Sequence, residues 1–96
     1  MDNSIIKNNN QLFFNQVKGK IVEINKDENF SNIVLEVGHE NCRNVCFISK
    51  THLFENLIKD IEINDKVSVR YYLSSRKKHD RWYTTATILQ IFKDNN

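Results

Sequence analysis

The sequence predicts an all-β domain with one short helix, a five-stranded Greek-key barrel of order β-β-β-α-β-β. Three observations predict it. Ninety-six residues suffice for one domain and little more. Most segments after Phe13 are β-branched or alternate apolar with polar residues, the period of a half-buried strand. A single segment, Thr51 to Ile61, has helical spacing instead, and it falls between the third and fourth strand candidates.

Residues 1–12 (MDNSIIKNNNQL) are rich in Asn and offer only Ile5, Ile6 and Leu12 as anchors, so they read as a flexible N-terminal arm. Residues 13–96 read as the single domain. Gln16 to Asn25 is the first strand, with Val17, Ile21, Val22 and Ile24. Gly19 interrupts it, as a bulge or sharp bend would. The apolar face switches between Ile21 and Val22, as expected of a strand that serves two sides of a curled sheet. Asn25 to Asn29 is a turn or loop. Asn32 to Gly38 alternates, with Ile33, Leu35 and Val37 on one face. Asn44 to Ser49 is a short third strand with Val45 and Phe47 inward.

Thr51 is placed to cap the helix, whose apolar positions are Leu53, Leu57 and Ile61 with Phe54 and Ile58. Lys66 to Ser75 alternates clearly: Val67, Val69, Tyr71 and Leu73 on one face, Ser68, Arg70, Tyr72 and Ser74 on the other. Arg76 to Arg81 reads as a short polar loop, and Trp82 to Lys93 as the last strand. This order is that of the OB-fold. An SH3-like barrel or an irregular sheet competes, but the single helix, its position and the Gly-bent first strand favour OB.

Composition narrows the function classes. At 40% hydrophobic and 27% charged, the chain is too apolar for disorder and too polar for a membrane protein. Met1-Asp2-Asn3-Ser4 does not begin a secretory signal, so the expected compartment is the cytosol. Residues 1–63 carry seven basic and nine acidic side chains, whereas residues 64–96 carry seven and three. The positive charge is densest at Arg76-Lys77-Lys78 and Arg81, a polarity suited to a polyanion.

OB-folds commonly take oligonucleotides, and holding a strand there without sequence preference needs cations for the phosphates and flat side chains for the bases. The cations on offer are Lys18 and Lys20 on one face of the first strand, Arg43 in the loop before the third, Arg70 in the fourth, and Arg76, Lys77, Lys78 and Arg81 in the last hairpin. Arg70 and Tyr72 share a face and form the best sheet-borne pair of cation and ring. Trp82 and Tyr83 point to opposite faces, so at most one serves a groove, and Trp82 joins the candidate set. Phe30 closes the first loop among polar neighbours and is a further candidate. Tyr71, Phe47 and Phe54 belong to periodic apolar faces and read as core.

No cofactor is expected. His39, Cys42, Cys46 and His52 lack the paired short spacing of a zinc ribbon or finger, and Cys46 reads as a small buried strand residue. The chain has only Gly19 and Gly38, too few for a phosphate-cradling glycine loop, and no nucleophile turn is visible. An enzyme is therefore not expected.

A family resemblance agrees with this reading. The segment Asn64 to Phe92, NDKVSVRYYLSSRKKHDRWYTTATILQIF, resembles the last two strands of bacterial single-stranded-DNA-binding (SSB) proteins. There a turn precedes a Val-x-Val-x-x-x-Leu strand, and the hairpin returns through Arg-Trp-Tyr-Thr-Thr or a close variant. Asn44 to Lys50, running into a helix, resembles the third strand of that group. Closer still is a short Bacteroidetes and phage family, domain of unknown function 3127. It is similar in Val45-Cys46-Phe47, Asn64-Asp65-Lys66-Val67, Ser75-Arg76 and Arg81-Trp82-Tyr83-Thr84. The resemblance spans residues 16–93. It implies an OB-fold that binds single-stranded DNA as a homodimer or homotetramer, in replication, recombination or repair. RNA binding and a protein-interaction module are the alternatives.

Overall fold

A computed structural model describes residues 14–94. The expected arm over residues 1–12 lies outside the described residues, as do 13, 95 and 96. Strands β1 (Asn15–Asn25), β2 (Phe30–Val37) and β3 (Arg43–Lys50) lead into helix α1 (Thr51–Leu57), followed by β4 (Lys66–Lys78) and β5 (Arg81–Lys93). The strands close a barrel in the order β1-β2-β3-β5-β4. Every neighbouring pair is antiparallel except β3 with β5, which meet in parallel at Ile48 and Thr87. The expected fold and element order are both present.

β1 serves two sides of the barrel. Its first half, Asn15 to Lys20, pairs with β4, and its second half, Lys20 to Asn25, pairs with β2. The β-bulge lies between Ile21 and Glu23, where the apolar face switches in the sequence, and not at Gly19. Gly19 has a different role, as the point where β2 comes closest. A Cβ there would lie 2.7 Å from the Glu36 carbonyl oxygen and 2.8 Å from Val37 Cγ1. Backbone cannot step aside without breaking the seam. Gly19→Ala is expected to cost about 1–3 kcal/mol, read as a lower denaturation midpoint at unchanged m-value. An unchanged midpoint would contradict this packing.

The core follows from the alternation of the strands. Ile21, Ile33, Leu35, Phe47, Val67, Val69 and Ile88 are buried, and Tyr71 meets Phe47 edge-on with ring centres 4.9 Å apart. The helix is shorter than its apolar pattern suggests. It stops at Leu57, a turn follows, and Asp60 adopts a left-handed backbone with φ 67°. Phe54, Ile58 and Ile61 still enter the core, while Leu53 stays exposed.

Thr51 is not the helix cap. Lys50 holds that position without a side-chain cap bond. Thr51 Oγ donates instead to the Asp27 carbonyl at 2.6 Å, and its backbone N–H donates to the Asn29 carbonyl at 2.9 Å. Its proton being committed, Thr51 Oγ accepts from buried Ser31 at 2.8 Å, and Ser31 in turn accepts from the Asp27 N–H at 3.3 Å. This network pins the β1–β2 loop to the helix start and fixes where Phe30 begins β2.

The hairpin corrects a second expectation. Arg76, Lys77 and Lys78 are not in a loop. β4 and β5 stay paired out to Lys78 and Arg81, and only His79 and Asp80 turn the chain. Both have positive φ, 52° and 63°, the signs of a type I′ turn. β4 loses β1 beyond Tyr71, so Tyr72 to Lys78 and their β5 partners project as a two-stranded ribbon. Ser74 with Thr85 and Ser75 with Thr84 hydrogen-bond across it at 3.3 and 2.8 Å.

Candidate nucleic-acid interface

The ribbon has two faces, and the register assigns each side chain. Tyr72, Ser74, Arg76 and Lys78 lie on one face with Thr87, Thr85, Tyr83 and Arg81 opposite them. Leu73, Ser75 and Lys77 lie on the other face with Ala86, Thr84 and Trp82. The first face meets the outer face of β3 and forms a groove of about 540 Å³. Ile48 and Lys50 of β3 and Phe30 of β2 make the far wall, and Tyr72, Arg76 and Tyr83 the near one. Phe30 and Lys50 are cross-strand partners, so a ring and a cation sit side by side there as well. Hydroxyls of Ser74, Thr85 and Thr87 line the floor.

The physical content of the groove is specific. Phe30, Tyr72 and Tyr83 are 53%, 37% and 49% exposed, unusual for large rings on regular strands. Lys50 and Arg76 supply positive charge, Lys78 and Arg81 extend it towards the tip, and among the described residues no carboxylate lines the groove. Rings accept bases on their faces and cations accept phosphates, and neither reads sequence. Two cations not offset by acids also attract a polyanion from a distance, an effect that salt screens.

The candidate residues therefore divide. Phe30, Tyr72 and Arg76 come together in the groove, with Lys78 and Arg81 on the same ribbon face. Phe30 opens β2 and does not sit in the loop. Arg70 shares the face of Tyr72 but is engaged elsewhere. Its guanidinium lies over the rings of Phe14 and Phe92, 5.3 and 5.4 Å from their centres, and donates to Gln16 at 3.4 Å and Gln90 at 3.2 Å. Lys77 and Trp82 occupy the opposite ribbon face. Arg43 opens β3, not the preceding loop, and sits at the other end of that strand from Lys50.

Lys18 and Lys20 flank a separate concavity of about 430 Å³ with Lys66 and His39. Glu36 and Asp94 also line it, and Lys20 pairs with Glu36 at 3.7 Å. That site is mixed in charge, and among the described residues no Phe, Tyr or Trp lines it.

Two groove residues escaped the sequence reading. Tyr83 pairs with Arg76 only because the turn has two residues, and His79-Asp80 lacks the Asn-Gly signal of such a turn. Lys50 ends the stretch Asn44–Lys50 and is not among the candidate cations read from sequence. Its place opposite Phe30 follows from the β2–β3 register.

Cys46 also differs from expectation. It lies in β3 but on the exposed outer face. Burial by its neighbours, and then the Glu23 carboxylate two strands away on β1, push its thiol pKa up. At neutral pH it is an uncharged S–H and adds no negative charge to this face. Among the described residues no three His, Cys, Asp or Glu side chains come together as metal ligands, and no helix is long and apolar enough to cross a membrane.

The chain has the OB-fold, a closed five-stranded barrel with one short helix between the third and fourth strands, and solved structures share it. It is similar to the mitochondrial single-stranded-DNA-binding protein Rim1 from S. cerevisiae, with a TM-score of 0.70 at 9% identity over 86% of this chain and 96% of that one. It is similar also to the N-terminal domain of PriB from Thermoanaerobacter tencongensis, solved as a dimer, with a TM-score of 0.62 at 19% identity over 88% and 99%. A small single-stranded-DNA-binding protein from Mycoplasma pneumoniae gives 0.53 at 15% over 86% and 94%. No protein-family model matches, so the narrower likeness to domain of unknown function 3127 gains no support there. No curated protein matches by sequence.

Proposed function

We propose that this protein binds single-stranded DNA without sequence preference and protects it, by stacking bases on Phe30, Tyr72 and Tyr83 and neutralising phosphates with Lys50, Arg76, Lys78 and Arg81. One observation carries this reading: three exposed rings and two cations line one groove, without a carboxylate among the described residues there. The barrel's likeness to single-stranded-DNA-binding proteins supports it at the level of fold. The mechanism is coverage, with no bond made or broken, so the protein is not an enzyme. Its place is beside replication, recombination or repair in the cytoplasm.

Photocrosslinking tests the site directly. Oligothymidylate carrying 5-iodouracil is expected to attach to peptides holding Tyr72, Tyr83 or Phe30. Attachment confined to the Lys18–Lys20 region would contradict the assignment.

The functional unit in this proposal is a homodimer or homotetramer. Among the described residues, 15–18 of β1 pair with β4 alone, which leaves their other edge open, and exposed Phe14 and Phe92 lie nearby on the outer surface. Such an edge is an invitation to pair with a second copy. Light scattering at micromolar concentration is expected to give at least twice the 11.4 kDa chain mass, and a strictly monomeric mass would remove this part of the proposal.

A further inference from the structure

The ribbon places Trp82 where the groove does not reach it. Trp82 is 68% exposed, more than any other large apolar side chain described. Its cross-strand partner is Lys77, on the face turned away from the groove. Leu73, on the same face, is 57% exposed. This face continues the inner side of the barrel: Val67, Val69 and Tyr71 lead into Leu73, Ser75 and Lys77 along β4. Beyond Tyr71 the β4 side chains of this face, Leu73, Ser75 and Lys77, are exposed, and the expected core side becomes surface. An exposed Trp with a cation directly opposite is the pairing that accepts a stacked base and its phosphate.

We infer that the back face of the ribbon, built on Trp82 and Lys77, is a second subsite for single-stranded nucleic acid. It takes the continuation of a strand already seated in the groove, and so rests on the groove reading. The charge distribution argues for this occupant. Four cations, Arg76, Lys77, Lys78 and Arg81, crowd the tip against one acid, Asp80. Arg76, Lys78 and Arg81 serve the groove face and Lys77 the back face, so positive charge continues around the end of the ribbon. From Tyr72 to Lys78 the ribbon spans about 20 Å. A strand that fills the groove arrives at the tip, and the next ring it meets is Trp82. A short strand ends before it.

Length dependence tests the inference. The protein is titrated by anisotropy with oligothymidylates of about five and about twenty nucleotides, bracketing the usual reach of one OB-fold. The long strand is expected to quench Trp82 fluorescence and the short one to leave it unchanged. Trp82→Ala should weaken the long complex about 5- to 150-fold, the range of one stacked base, and change the short one less than about twofold. Lys77→Ala leaves the ring in place, and should weaken the long complex selectively and lower its salt slope by about 0.7. Equal losses for both lengths, or none for the long strand with either variant, would overturn the second subsite. Trp82→Ala abolishing self-association without a length-dependent effect would overturn it too, by assigning the face to a second copy. Failure of the groove itself looks different: the unmodified protein would then bind neither length.

Discussion

Replacing Tyr72 and Tyr83 together by alanine is expected to weaken binding to single-stranded DNA by about 2–6 kcal/mol, roughly 30-fold to more than 10⁴-fold, with little change in salt slope. Each ring is a stacking surface worth about 1–3 kcal/mol. The two sit two cross-strand pairs apart on one face, since Tyr72 is opposite Thr87 and Tyr83 opposite Arg76. Their separation of about 13 Å along the ribbon keeps them out of contact, so the losses should be close to additive. Neither ring belongs to the core, and thermal stability should therefore stay near that of the unmodified protein. Unchanged affinity in a folded double variant would place the bases elsewhere.

The second large effect is electrostatic. Changing Arg76, Lys78 and Arg81 together to glutamine removes three cations from the groove face of the ribbon. If each neutralises one phosphate, the slope of log K against log salt should fall in magnitude by about 2, and affinity near 0.1 M salt by about a hundredfold. The two variants separate the two kinds of contact. Ring removal shifts the salt plot downwards, whereas charge removal tilts it. A tilt produced equally by changing Lys18 and Lys20 would mean that the strand runs over the opposite end of the barrel.

Much of the fold was legible because alternation and helical spacing are local signals. The faces of β2, β3 and β4, the single helix and the switch of face at Ile21–Val22 are all visible in the chain itself. What was not legible depends on register. Whether Arg76 to Lys78 lie in a loop or a ribbon is decided by the number of turn residues, and His79-Asp80 adopts left-handed backbone without the glycine that usually announces it. That one difference moves Tyr83 into the groove and Trp82 out of it. Arg70 shows the same limit. Alternation correctly gives its face, shared with Tyr72, but its partners come from β1 and β5, and only the folded barrel brings Phe14 and Phe92 to it. Thr51 has the chemistry of a cap, yet a loop carbonyl 24 residues away takes its proton.

The most direct measurement of the central claim is a titration of the purified protein against poly-dT, the matching duplex and poly-U at two salt concentrations, followed by anisotropy. Stacking in an open groove requires unpaired bases, because paired bases hide their faces. The account predicts tight binding to poly-dT, much weaker binding to duplex, and loss of affinity as salt rises. Preference for poly-U would move the assignment to RNA. Absence of binding to all three at low salt would contradict it, leaving the barrel as a shared fold whose partner is a protein.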